Sequence, residues 1–114
     1  MDLIQLIKQK AAAYKAEVIA IRQHLHQHPE LSFKEFKTAD FIENKLNEYG
    51  ITNQKRLVKT GIIALIEGKN PSKKIIALRS DHDALPIQET NKVDYKSVNH
   101  GVMHACGHDV HTSS

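Results

Sequence analysis

The residues best suited to chemistry lie in two clusters late in the sequence. His104-Ala105-Cys106-Gly107-His108-Asp109 sets a thiol and an imidazole two positions apart. A thiolate and an imidazole so spaced can converge on one ion and suit Zn or a similar transition metal. Gly107 between them permits tight backbone geometry, and Asp109 is placed to accept a hydrogen bond from a ligand or to serve as one. Two ligands do not complete a tetrahedral site, so Asp81, His104 and His111 are the in-chain candidates for the remainder. The bland alternative is a free cysteine among surface histidines. The other cluster, Asp81-His82-Asp83, sends both carboxylates to one side if the backbone is extended. Paired carboxylates repel unless a cation or proton lies between them, which suggests metal or acid–base work; the alternative is a solvated acidic turn. A third group, His24, His26 and His28, has the i, i+4 spacing of a metal pair but lacks the glutamate of H-E-x-x-H, and it reads as surface or helix-end residues.

The preceding sequence supplies the elements that must position these groups. Ile4, Ile7, Ala11, Tyr14, Val18, Ile21 and Leu25 step by three and four, which predicts a helix from Asp2 to His28 about 40 Å long, stopped by Pro29. A coiled-coil helix is the alternative, weakened by the polar and small residues around the rest of the segment. Ser32 and Glu35 form an S-x-x-E capping box for a second helix, with an apolar stripe of Phe36, Ala39, Ile42, Leu46 and Tyr49. Gly50 follows where a left-handed residue ends a helix. The period then changes. Thr52–Val58 is a modest strand, and Gly61–Glu67 and Lys74–Arg79 are short, β-branched and apolar. Gly68-Lys69-Asn70-Pro71-Ser72 between the last two predicts a turn joining adjacent strands of one sheet. The fold class is α/β: two helices followed by strands of a mixed sheet, with the site at a strand end.

Composition narrows the function. With 114 residues, 40% hydrophobic and 25% charged, the chain is the size and make-up of one globular domain. A net charge of +3 and a pI near 9.0, with aromatics at 5% and no Trp, spread rather than clustered, argue against a nucleic-acid partner. No apolar run approaches the roughly 20 residues of a membrane span. The start has no basic region followed by an apolar one, which argues against a secretory signal. A single cysteine, Cys106, permits no intrachain disulfide, so the expected location is the cytoplasm. The sequence stops directly after its densest functional cluster, as a part of a longer site would.

Three stretches resemble the aminoacylase and carboxypeptidase family of dinuclear metallopeptidases, in its amidohydrolase branch, which includes hippurate hydrolases and N-acetyl-diaminopimelate deacetylases. They are Leu25-His26-Gln27-His28-Pro29-Glu30-Leu31-Ser32-Phe33 with Glu35 and Thr38, then Ala77 through Glu89 around Arg79-Ser80-Asp81-His82-Asp83-Ala84-Leu85-Pro86, then Gly101 through Thr112 around His104-Ala105-Cys106-Gly107-His108-Asp109. The resemblance implies the N-terminal portion, residues 1–114, of a zinc-peptidase-like catalytic domain, without its lid domain and C-terminal half. It implies two divalent metal ions per complete site (Mn or Zn, with Co or Ni also admitted) and a small N-acyl amino acid substrate. Cys106 and His108 match metal ligands. Asp83 matches the catalytic-centre aspartate that orients a metal-binding group. Asp81 stands where other branches have a histidine ligand, and its role in this branch is open. His82 departs from the apolar residue usual there. The family's catalytic base lies in a Glu-Glu pair, and this sequence contains none. The resemblance therefore predicts a chain inactive alone, of unassigned oligomeric state. A stand-alone metal-binding or interaction module, or a remnant without function, are the other readings.

Overall fold

The computed structural model describes residues 2–114. Its elements are α1 (Leu3–Gln27), α2 (Phe36–Glu48), β1 (Gln54–Leu57), β2 (Gly61–Ala64) and α3 (His108–Ser113). The α/β class expected from the sequence holds, with helices first and a sheet after them.

Helix α1 starts where Asp2 accepts from the Ile4 N–H at 2.6 Å. It ends at His28, whose N–H reaches the His24 and Leu25 carbonyls before Pro29 intervenes. Its 25 residues span about 38 Å. The apolar stripe that the periodicity assigned to a core is largely in water: Ile4, Ile7 and Tyr14 are each more than half exposed, and only the end at Leu25 is enclosed. The reason is that α1 packs on α3 near its C-terminal end, and no described element covers its first half.

Helix α2 begins three residues later than the capping-box reading placed it, and Ser32 does not cap it. Glu30 does: its carboxylate accepts from the Thr38 N–H at 2.6 Å, the Thr38 hydroxyl at 2.7 Å and the Lys37 N–H at 3.3 Å. The Thr38 and Lys37 N–H groups are two of the backbone donors that a first helical turn leaves without partners. The far end follows the sequence reading. Gly50 is left-handed at φ 75, and the Ile51 N–H to Leu46 carbonyl and Gly50 N–H to Asn47 carbonyl bonds close a Schellman motif.

The sheet is a two-stranded antiparallel hairpin, pairing Gln54 with Ala64, Lys55 with Ile63, Arg56 with Ile62 and Leu57 with Gly61. Val58 and Lys59 turn it in the left-handed region at φ 50 and 71, a strained conformation for a β-branched residue. The partner of the Gly61 strand is thus the segment before it, not Lys74–Arg79. That later segment forms no strand; Ile75, Ile76 and Leu78 are 88%, 81% and 97% exposed. A β-branched run becomes a strand only against a neighbour that takes its backbone hydrogen bonds, and here it pairs with none of the described segments.

The enclosed interior is small and mostly polar. Among the described residues Leu25, Ala39 and Ala84 form the buried hydrophobic core, against eight buried polar or charged residues. The radius of gyration is 15.9 Å, compared with about 13 Å for a compact chain of this length. The long segment 84–103 is tied down at both ends. Ala84 bridges Leu31, and Leu85 exchanges two backbone bonds with Met103. The Val98 N–H bonds the Gln27 carbonyl and the Asn99 amide bonds the Pro29 carbonyl, which fastens the segment to the end of α1.

Candidate metal centre

Asp83 precedes a fixed point of the backbone, because the N–H of buried Ala84 bonds the Glu30 carbonyl at 2.8 Å. His108 opens α3 immediately after Gly107, whose φ of 89 is a left-handed turn. These two anchors bring the side chains together. The His108 Nδ1 lies 2.9 Å from Asp83 Oδ1 and 3.0 Å from the Asp83 carbonyl. Both partners are acceptors, so Nδ1 carries the proton and Nε2 is left with a free lone pair. A carboxylate holding the inner nitrogen of an imidazole is the arrangement by which metal-binding histidines are oriented.

Ser32 donates its hydroxyl to the other oxygen of Asp83. That bond, with the Asp83 backbone N–H and His108, outweighs burial and holds the carboxyl below its usual range. Asp83 is therefore an anion at neutral pH, as an orienting group must be.

Asp83 and His108 lie on a cleft of about 760 Å³ that Asp81, Arg79, His82, Thr112 and Glu35 also line. Asp81 pairs with the exposed Arg79 guanidinium at 3.0 Å, and its carbonyl accepts from the Thr112 hydroxyl at 2.8 Å. Glu35 is buried there, with one carboxylate oxygen lacking a partner. Cys106 is free and exposed, two residues from His108, and is not among the groups lining the cleft. His104 is buried with neither ring nitrogen hydrogen-bonded; burial favours its neutral form and moves its pKa below the usual histidine value. His111 stands beside His108, with ring centroids 6.3 Å apart. Among the described residues no group of three or more His, Cys, Asp or Glu is arranged to hold an ion. The donors present, a carboxylate-held imidazole and a free thiol, are of the chemical types that transition metals prefer.

Three residues at the end of α1 and beyond it escape sequence reasoning. His26 is not a surface histidine, although His24 and His28 are exposed. Its Nδ1 is 2.8 Å from Asp109 Oδ2 and its Nε2 is 3.0 Å from Glu89 Oε1. Arg22 donates to the same Asp109 oxygen at 3.0 Å. The Arg22–His26 spacing of four on a helix ending in a buried Leu25 was the available signal. No spacing rule links either residue to Glu89 or Asp109.

The α/β scaffold thus presents an oriented imidazole on a cleft, with a thiol two residues before it in the sequence. Residues 77–114 match the family described as Peptidase family M20/M25/M40. Over 107 residues the chain is 50% identical to an N-acyl-L-amino acid amidohydrolase of Geobacillus stearothermophilus, covering 94% of this chain and 29% of that protein. It is 50% identical over 98 residues to an N-acetyl-L-cysteine deacetylase of Bacillus subtilis, covering 86% of this chain and 23% of that one. Its fold superposes on a dinuclear metal-binding peptidase of the M20 family from Bacillus subtilis with a TM-score of 0.81 and 43% identity, over 90% of this chain and 28% of that structure. The chain is similar to members of the M20 peptidase family and spans less than a third of the length of these relatives. No helix among the described residues is long and apolar enough to cross a membrane.

Proposed function

We propose that residues 1–114 are the N-terminal portion of the catalytic domain of a metal-dependent amidohydrolase that cleaves the amide of N-acyl amino acids. The observation that carries this reading is the Asp83–His108 pair, which leaves Nε2 of His108 free on the cleft. The names of two relatives, an N-acyl-L-amino acid amidohydrolase and an N-acetyl-L-cysteine deacetylase, support the substrate class.

In this reading His108 Nε2 and the Cys106 thiolate would hold a divalent ion, and Asp83 fixes the imidazole with its proton on Nδ1 and Nε2 turned outward. When bound, such ions, two in a complete site, would supply Lewis-acid polarisation of the substrate amide. Thiolate and imidazole suit Zn, and Mn, Co or Ni are the alternatives. Ser32 keeps Asp83 charged, and segment 84–103 with α1 backs the site. The sequence contains no Glu-Glu pair, so these residues supply ligands and their supports rather than the general base. The single cysteine supports a reducing, cytoplasmic setting.

The test is metal binding by the 114-residue chain and its Cys106→Ser variant, measured by Zn competition. The variant should bind at least about tenfold more weakly. Equal affinity would remove Cys106 from the site. The unmodified chain should release no amino acid from N-acetyl or N-benzoyl amino acids with Mn or Zn present, and metal-dependent turnover would show that it carries a base of its own.

A further inference from the structure

We propose that Glu89 and His26, which lie behind the cleft and do not line it, are positioning residues for the metal-binding turn; the inference rests on the reading of Cys106 and His108 as ligands. Helix α3 has six residues and no side-chain cap on its first turn. A helix so short has no stability of its own, so its orientation comes from what grips it. The grip is Asp109, the residue after His108 and 1% exposed. Successive helical residues point about 100° apart. Fixing Asp109 inward therefore fixes where His108 points, and Asp83 closes on it from the other side.

Asp109 is held by two donors from the last turns of α1, Arg22 Nε at 3.0 Å and His26 Nδ1 at 2.8 Å. The His26 ring is held in turn by Glu89, whose oxygens lie 3.0 and 3.1 Å from Nε2. Both ring nitrogens then face carboxylates, so the ring is clamped between Glu89 and Asp109 and Glu89 fixes the plane in which Nδ1 meets Asp109. Glu89 is itself anchored: Oε1 accepts from the Ser97 N–H at 2.8 Å and Oε2 from the Asn91 amide at 3.3 Å. Burial acts to raise its pKa, but these donors and His26 prevail and hold it below the usual glutamate value. The chain of contacts runs from segment 84–103 through α1 to the first turn of α3, across 63 and then 83 residues of sequence.

Glu89→Gln is the informative variant. Both Glu89 oxygens face donors, so either orientation of the amide sets an N–H against an N–H while the volume is unchanged. The 114-residue chain is titrated with Co(II), the thiolate-to-cobalt absorption giving the affinity and far-UV circular dichroism the helix content. The expected result is about tenfold weaker Co(II) binding at unchanged helix content. A purely structural role would lower the urea midpoint yet leave Co(II) affinity of the folded chain as in the parent, and that result overturns the proposal. If Glu89→Gln loses its helical signal, Glu89→Asp, which keeps the charge one methylene back, is read instead: a loss of about threefold or more supports the proposal, and parent affinity overturns it. Cys106→Ser, which has no thiolate band and is therefore titrated by competition with a chromophoric Co(II) chelator, serves as the control for the ligand reading. If it binds Co(II) like the parent, that reading fails, and the ring ¹⁵N shifts of His108, which report its contact with Asp83 without metal, decide the positioning role. Shifts moved in Glu89→Gln support it, and unmoved shifts overturn it.

Discussion

Removing the Asp83 carboxylate separates the role of orientation from that of charge. His108 Nδ1 has two acceptors on the same residue, the carboxylate at 2.9 Å and the main-chain carbonyl at 3.0 Å. Asp83→Ala deletes the first and spares the second, so the tautomer survives while the ring gains freedom to swing. Losing an outer partner of a metal-binding histidine weakens affinity by roughly 10–100-fold, and the surviving carbonyl puts this case at the low end, about tenfold or ~1.4 kcal/mol. Asp83→Asn should cost less. Its carbonyl oxygen can face Nδ1, its amide can donate to Ser32, and the Ser32 hydroxyl can turn to accept. Only the charge is then lost, for an expected reduction of about threefold. The assay is Zn competition at neutral pH on the parent and both variants, with circular dichroism to confirm the fold. The ordering is the sharper test: Asp83→Ala within about twofold of the parent, or Asp83→Asn weaker than Asp83→Ala, would refute orientation of His108 by this carboxylate.

Other perturbations test the scaffold. Glu30→Ala should lower the urea-unfolding stability by about 1 kcal/mol, since the α2 donors at Thr38 and Lys37 lose their acceptor; an unchanged midpoint would argue that water replaces the cap without cost. Asp83 and Glu89 both have folded pKa values below the ordinary 3.8 and 4.5. Their contribution is therefore fully present above those values and is lost as pH falls through the lower folded ones, so the metal-free chain should keep its helix content down to about pH 4 and lose it below. Loss beginning well above that point would show that these carboxylates are not held as described. Leu78→Lys, at a side chain almost wholly in water, should leave stability within about 0.5 kcal/mol and reduce self-association in sedimentation velocity; a large loss of stability would place Leu78 in a packed interior.

The local signals of the sequence carried well and the distant ones did not. Asp2, Pro29 and Gly50 set the ends of α1 and α2 where their chemistry places them, because capping and left-handed turns depend on a few neighbouring residues. The pairing of Asp83 with His108 was legible as two motifs in one neighbourhood, although only the folded chain shows which nitrogen is held. Ser32 misled: as the first residue of S-x-x-E it fits a cap, yet it binds Asp83, 51 residues away, while Glu30 caps α2 from outside the expected pattern. The run Ile75–Leu78 has the composition of a buried strand but no neighbour to become one against. Pattern reports what a segment is fit for, and pairing depends on residues elsewhere. His26 was missed for a related reason. A histidine at a helix end is ordinary, and its two carboxylate partners lie 63 and 83 residues on.

Those separations also set an order in time. Chains emerge from the ribosome N-terminus first, at about 5–20 residues per second, so roughly 4–17 s pass between the synthesis of His26 and that of Asp109. Throughout that interval α1 can form, since its hydrogen bonds are local, but its terminal imidazole has no carboxylate to meet until Glu89 is made and no Asp109 to grip until the end. Docking of α3, closure of Asp83 on His108 and presentation of Cys106 come at the end of synthesis of this segment. On the proposed function, metal capture would then follow assembly of the supporting framework rather than precede it.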